Sequence, residues 1–276
     1  MAIVFVDGKL LEESKAKISV FDHGVVAGDG VFEALAVYDG VPFALNRHLT
    51  RLAKSVLGVG LSTPDVKKIE AAVYDVIGAN KIDFGKVRIT YTAGDGPLGS
   101  ERLNSAPRII VASAPMSPVP PVARVSIAPW PRNEFGVLAG LKTTSYAENV
   151  VALAWAKRQG SSEVIFRNTQ DLLCEGSGSN IFVVIGNRLV TPPLSSGCLA
   201  GVTRDLIVEF LGAVEEDIPM TLLKTKSISE AFLSSSLREA QAITHFDDFE
   251  MKNAPGPYSI SVASAFRELI KENQNP

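Results

Sequence analysis

The stretch "MSPVPPVA", residues 116–123, is the proline cluster that divides the chain, and it reads as a linker between two folded parts. Proline removes a backbone donor and holds the residue before it extended, so neither a helix nor a central strand runs through such a segment. On its N-terminal side, "IVFVDGKLLEE" reads as strand, Asp-Gly turn, strand, and "GVFEALAVYDGVPFAL" repeats that pattern around "YDGV". "NRHLTRLAKSVLGVGL" has helical spacing, with Leu49, Leu52, Ala53 and Val56 on one face and a glycine to stop it. "DVKKIEAAVYDVIGAN" is a second amphipathic helix, and "KVRITYTAG" and "PRIIVASAP" return to strand. Residues 1–117 are therefore expected to form a small α+β domain of mainly antiparallel strands with two helices together.

Beyond the linker the pattern predicts a strand in "RVSIAPW", a helix over 145–158, a strand in "SEVIFRNT" and a strand in "NIFVVIGNRLVTPP". Helices are expected in "VTRDLIVEFLGA" and "SISEAF", then a strand in "QAITHFDD" and a C-terminal helix. Residues 118–276 make up the expected second, larger domain.

Bulk composition narrows the function. Hydrophobic residues make up 46% of the 276 and charged residues 21%, enough to build a sizeable core. A formal charge of −3 provides no basic field for nucleic acid or anionic lipid. No apolar run is long enough to span a bilayer, and the N-terminus lacks a basic segment followed by a long apolar one. Cys174 and Cys198 alone make no disulfide framework, so a reduced, cytoplasmic setting is expected. His23, His48 and His245 are too scattered in sequence to imply a metal site. HExxH, CxxC and GxSxG are absent, and "GVVAGDG" fits neither GxGxxG nor GKS/GKT.

Five stretches could carry chemistry. In "LAGLKTTSYAENVV", 138–151, Lys142 follows an apolar run. It reads either as a lysine at a strand–helix junction with its amine in solvent, or as a Schiff-base lysine whose amine a confined site makes nucleophilic. In "LLCEGSGSNIFVV", 172–184, Glu175 is either a solvated turn carboxylate or an acid held to accept a hydrogen bond from a protonated ring nitrogen. "GCLAGVTRDLIVEF", 197–210, puts Thr203 at a helix N-terminus, as a plain cap or as part of an anion site. "FLSSSLREA", 232–240, adds the hydroxyls of Ser234, Ser235 and Ser236. In "NRHLTRL", Arg47 and Arg51 are a solvated face or a source of one phosphate-binding guanidinium, and Arg51 lies nearer the apolar stripe.

Taken in order, "GDGVFEAL", "RHLTRL", "LKTTSYAENV", "CEGSGSNIFVV", "LAGVTRDLI" and "FLSSSLREAQAI" resemble the class IV aminotransferases, the pyridoxal 5'-phosphate enzymes of fold type IV, over nearly the whole chain. That family includes branched-chain aminotransferases, D-amino acid aminotransferases and aminodeoxychorismate lyases. The resemblance implies a two-domain mixed α/β fold: a small N-terminal α+β domain and a larger, β-barrel-like C-terminal domain with surrounding helices. It also implies that Lys142 forms the Schiff base and moves the substrate proton. Glu175 would pair with the ring nitrogen. Arg51, the amide of Val202, Thr203, Ser235 and Ser236 would hold the phosphate, and Tyr146 would reach the cofactor's phenolic oxygen. The partners implied are a small amino donor and a 2-keto acid acceptor, in a homodimer without metal.

Arg88, opening "VRITYTAG", matches a strand position that faces substrate in several members, and is expected to take a substrate carboxylate; otherwise it is a surface arginine. Val25 and Ala27 fall where relatives line the substrate pocket. D-amino acid enzymes have an arginine where this chain has Ala93 and a tyrosine where it has Val25. Branched-chain enzymes carry aromatics where it has Val25, Val26 and Ala27. The main expectation is transamination. The alternative is an aminodeoxychorismate lyase that releases pyruvate and 4-aminobenzoate from the same site. A third reading, a cofactor-free scaffold, is at odds with intact Lys142 and Glu175.

Overall fold

A computed structural model describes residues 1–276. Two compact units form: Met1–Pro118 with Leu141–Tyr146 and Glu272–Pro276, and Val119–Gly140 with Ala147–Lys271. Lys142 thus belongs to the first unit although its number lies past the proline linker.

The first unit contains β1 (Ile3–Val6), β2 (Lys9–Glu12), a single turn α1 (His23–Val26), β3 (Gly30–Tyr38), β4 (Val41–Pro42), α2 (Leu45–Gly58), α3 (Val66–Asn80), β5 (Gly85–Thr92) and β6 (Arg108–Pro115). The strands make one six-stranded sheet in the order β2-β1-β6-β5-β3-β4. Both expected Asp-Gly hairpins form, and all four turn residues have positive φ: Asp7 at 48°, Gly8 at 95°, Asp39 at 51° and Gly40 at 77°. That backbone turns a two-residue hairpin in step with the strand twist. Strand alternation sends Val31, Leu35, Val37, Val87, Ile89 and Val111 to one face, where they pack with Leu45, Leu49, Leu52 and Val56 of α2 and Ile69, Val73 and Val76 of α3. Phe32 and Arg88 therefore emerge on the opposite face.

The second unit contains β7 (Val122–Ile127), α4 (Ala147–Arg158), β8 (Glu163–Arg167), β9 (Leu173–Gly176), β10 (Asn180–Ile185), β11 (Arg188–Thr191), α5 (Val202–Leu211), β12 (Val214–Glu215), β13 (Ile228–Ser235), β14 (Glu239–Phe246), β15 (Phe249–Glu250) and most of α6 (Pro257–Glu272). Its nine-stranded sheet curls into a half-barrel, in the order β12-β11-β10-β13-β14-β7-β8-β9 with β15 on β14. Strand β10 is buried on both faces. Ile181 and Val183 join one cluster with Leu173, Leu233 and Ile243, while Phe182 and Val184 join another with Ile207, Phe232 and Val262. The Phe182 and Phe232 rings stack at 5.0 Å, 7° from parallel. Two-sided burial is why this strand's sequence is a continuous apolar run instead of an alternation.

The structure departs from the sequence expectation in two places. "NIFVVIGNRLVTPP" is not one strand but the hairpin β10–β11, turning at Gly186 with φ 61°. "SISEAF" is not a helix. It lies in β13, paired antiparallel with β10 from Asn180↔Ser234 and with β14 from Phe232↔Ala242. Six residues are too few to sustain a helix alone, and pairing on both sides decides the conformation. Glu230, within that stretch, is buried and accepts the Tyr258 and Ser259 amides at the start of α6, each at 3.0 Å.

Candidate functional site

In the first unit, Lys142 is held by its backbone. Its N–H donates to Ser55 Oγ on α2 at 3.2 Å, and its carbonyl accepts from the Phe32 amide at 3.0 Å. Thr143 bridges antiparallel to Val31, and the Thr144 amide donates to the Gly30 carbonyl at 2.8 Å. The segment thus extends the β3 edge. Gly30 leaves room for β5 and this segment together, since a Cβ there would sit 2.7 Å from the Tyr91 carbonyl oxygen and 3.1 Å from Thr144 Oγ1. The Lys142 Nζ lies 4.5 Å from the Phe32 ring centroid and 5.8 Å from that of Tyr146. The two rings meet edge to face at 5.2 Å. The Arg88 guanidinium carbon lies 3.8 Å from the same Phe32 centroid, so two cationic groups share one aromatic ring. Val25 and Ala27 lie in and just after α1 and are exposed.

Beneath this face lies a charge cluster that sequence reasoning missed. Glu33 has the core-facing parity of Val31 and Leu35, and its side chain has no solvent exposure. Arg51 grips it with Nε to Oε1 at 2.8 Å and Nη2 to Oε2 at 2.7 Å, and His48 Nδ1 meets Oε2 at 2.7 Å. Burial pushes the Glu33 carboxyl up, but the charge and hydrogen bonds of Arg51, with His48, outweigh it and hold the group at about 2. Burial pushes the His48 imidazole down, against the pull of Glu33, so a neutral ring donates to the carboxylate. The available signal was parity: a glutamate at a core position of a strand must have a partner.

In the second unit, Glu175 is the next-to-last residue of β9, and its buried carboxylate has a nitrogen beside each oxygen. Oε2 accepts the Leu199 amide at 3.0 Å, and Oε1 lies 3.4 Å from Arg132 Nε. Asn180 Nδ2 donates to the Leu199 carbonyl at 2.8 Å, and a Cβ on Gly201 would stand 2.0 Å from Asn180 Oδ1. One strap, residues 199–201, therefore joins the Glu175 acceptor to the start of α5. That helix begins at Gly201 with no side-chain cap, and Val202 and Thr203 open it. Its first amides therefore have no capping side chain as an acceptor, the condition under which a helix N-terminus can take an anion. Ser235 closes β13, and Ser236 begins the turn in which the Arg238 amide returns to the Ser235 carbonyl at 3.0 Å.

Glu163, also missed, is buried. Its Oε1 accepts from the Ser177 amide at 3.1 Å and hydroxyl at 2.5 Å, and its Oε2 from Ser179 Oγ and Arg238 Nη2, each at 3.2 Å. It thus ties the turn after Glu175 to the turn after Ser236. Burial, with the charge of Glu175, pushes the Cys198 thiol up to about 11 and the Cys174 thiol up as well, so both remain protonated packing groups.

The family model for amino-transferase class IV matches residues 30–246. The chain belongs to that family. This aminotransferase is 31% identical over 262 residues to a Methanocaldococcus jannaschii protein named "Putative branched-chain-amino-acid aminotransferase", covering 91% of this chain and 90% of that one. It is 28% identical over 293 residues to the bifunctional aminodeoxychorismate lyase / D-amino acid transaminase of Mycobacterium tuberculosis, covering 97% of each. The crystal structure of the branched-chain aminotransferase of Thermoproteus uzoniensis with norvaline superposes with a TM-score of 0.91 at 26% identity, covering 99% of this chain and 97% of that one. Class IV aminotransferases depend on pyridoxal phosphate. Each unit carries groups that suit that cofactor: the first an arginine braced by a buried glutamate and a lysine over aromatic rings, the second a buried carboxylate that accepts an amide and a helix N-terminus without a side-chain cap.

Proposed function

We propose that this aminotransferase is a pyridoxal-phosphate transaminase, moving an amino group between an amino acid and a 2-keto acid with Lys142 as its reactive amine. The observation that carries this reading is the backbone clamp on Lys142, which delivers the amine over Phe32 and Tyr146. Bound to the chain, pyridoxal phosphate supplies a carbonyl for the amine and a ring that withdraws electrons when its nitrogen is protonated. Lys142 moves the proton at the substrate Cα. Glu175 accepts the ring N–H. Arg51, the Val202 amide, Thr203, Ser235 and Ser236 bind the phosphate, and Tyr146 donates to the phenolic oxygen. Arg88, sharing the Phe32 ring with Lys142, takes the substrate carboxylate.

The test combines a spectrum with a substrate panel. Protein reconstituted with pyridoxal phosphate should show a visible absorption band that Lys142→Ala removes along with at least a thousandfold of turnover, roughly the loss when a nucleophile-base is deleted. Pyruvate or 2-oxoglutarate offered with a panel of D- and L-amino acids should give keto-acid-dependent turnover. Release of 4-aminobenzoate without any keto-acid requirement would replace transamination with the lyase reaction. We further infer a cytoplasmic homodimer. No helix is long and apolar enough to cross a membrane. Val20 at 73%, Phe135 at 78% and Val137 at 89% exposure offer apolar surface for a second subunit to cover. Light scattering on the purified chain checks the mass.

A further inference from the structure

Arg132 occupies an unusual place in the second unit. Its guanidinium carbon stacks 4.3 Å from the Phe166 ring centroid. Its Nη1 and Nη2 donate to Asn149 Oδ1 at 3.3 and 3.4 Å, and its backbone amide donates to the Arg167 carbonyl at 2.8 Å. Asn149, near the start of α4, in turn donates through Nδ2 to the Ser177 carbonyl in the turn that follows Glu175. The remaining nitrogen, Nε, is buried, makes no hydrogen bond, and lies 3.4 Å from Glu175 Oε1.

An arginine immobilised on three sides, with a buried nitrogen 3.4 Å from one carboxylate oxygen, is placed to serve that carboxylate. Burying a carboxylate favours its protonated form, and an adjacent guanidinium reverses that preference. A protonated Glu175 would have an O–H to offer a ring nitrogen, where the reaction needs an acceptor for an N–H. The Leu199 amide holds Oε2, so the carboxylate has the guanidinium at one oxygen and the amide at the other.

We propose that Arg132 is a positioning residue for the reaction, holding Glu175 ionised and oriented so that the cofactor ring nitrogen it faces stays protonated. This rests on the pyridoxal-phosphate reading above. It predicts that Arg132 acts on the cofactor only through that nitrogen.

The experiment compares pyridoxal phosphate with its 1-deaza analogue, which has a carbon in place of the ring nitrogen. Both are titrated into wild-type protein and the Arg132→Met, Arg132→Gln and Arg132→Lys variants, with Glu175→Gln as the reference. Bound cofactor is read by absorbance and folding by circular dichroism. Arg132→Met should weaken pyridoxal phosphate about tenfold, the scale of one charge-assisted contact, and the analogue less than about twofold. Arg132→Lys, which retains the charge, should recover most of the loss, and Glu175→Gln should show the same selectivity for the nitrogen. kcat with pyridoxal phosphate should fall in parallel. Equal weakening of both compounds, or of neither, would overturn the inference, because a structural role does not distinguish nitrogen from carbon. If Arg132→Met does not fold, Arg132→Gln, a polar chain without the charge, decides on the same selectivity. Wild-type protein that binds neither compound would instead defeat the cofactor reading, and the inference with it.

Discussion

Glu33 shows how much one residue sets here. It is a fully buried carboxylate balanced by Arg51 and His48. In the unfolded chain it titrates near 4.5, and in the folded chain at about 2, so the unfolded state takes up the proton first. Its contribution to stability is therefore complete above pH 4.5 and fades as pH falls from there toward 2. Glu33→Gln keeps the shape and removes the charge that braces Arg51. Urea unfolding should show it roughly 1–3 kcal/mol less stable at neutral pH, with the difference closing through the acid window. The same variant should bind pyridoxal phosphate more weakly, because Arg51 loses the partner that aims its remaining donors. A stability difference independent of pH would show that the charge is not what matters.

Among the elements, α5 and the strap before it depend most on a single position. Gly201 stands where a Cβ would overlap Asn180 Oδ1, and Asn180 holds the strap whose Leu199 amide binds Glu175. Gly201→Ala should shift the start of α5, weakening cofactor binding about tenfold or more with a smaller effect on the melting temperature. Unchanged affinity would show that the α5 N-terminus does not take part in binding. Element identity followed local pattern where the pattern was strong. The Asp-Gly hairpins and the helices α2, α3 and α5 were all legible, since turn chemistry and apolar period state them directly. It failed at "SISEAF", where pairing with β10 and β14 overrode a short ambiguous run.

At the scale of the whole molecule, the aromatic stack of Phe182 and Phe232 joins the half-barrel to its covering helices, with Ile207 of α5 and Val262 of α6 in the same cluster. Phe182→Ala should destabilise the fold by about 3–5 kcal/mol, measured by urea denaturation, with the cofactor spectrum of the surviving folded fraction unchanged. A loss below about 1 kcal/mol would show that the second unit draws its stability from elsewhere.

The candidate site divides along the same line. Lys142, Glu175, Arg51 and Thr203 stood out in the sequence because they sit in short stretches whose order along the chain matches the family. Glu33, Glu163 and Arg132 did not, because what makes each of them matter is a partner far away in sequence: Arg51 for Glu33, Arg238 for Glu163, and Glu175 for Arg132. By itself the sequence determined the family, the hairpins, the main helices and the residues expected to touch the cofactor, since turn chemistry, periodicity and motif order are local properties of the chain. Only the tertiary structure decided that Lys142 folds back onto β3, that Glu230 caps α6, and which buried charges brace the others. Burial and pairing depend on which distant residues arrive at the same place, and that is a property of the packed fold.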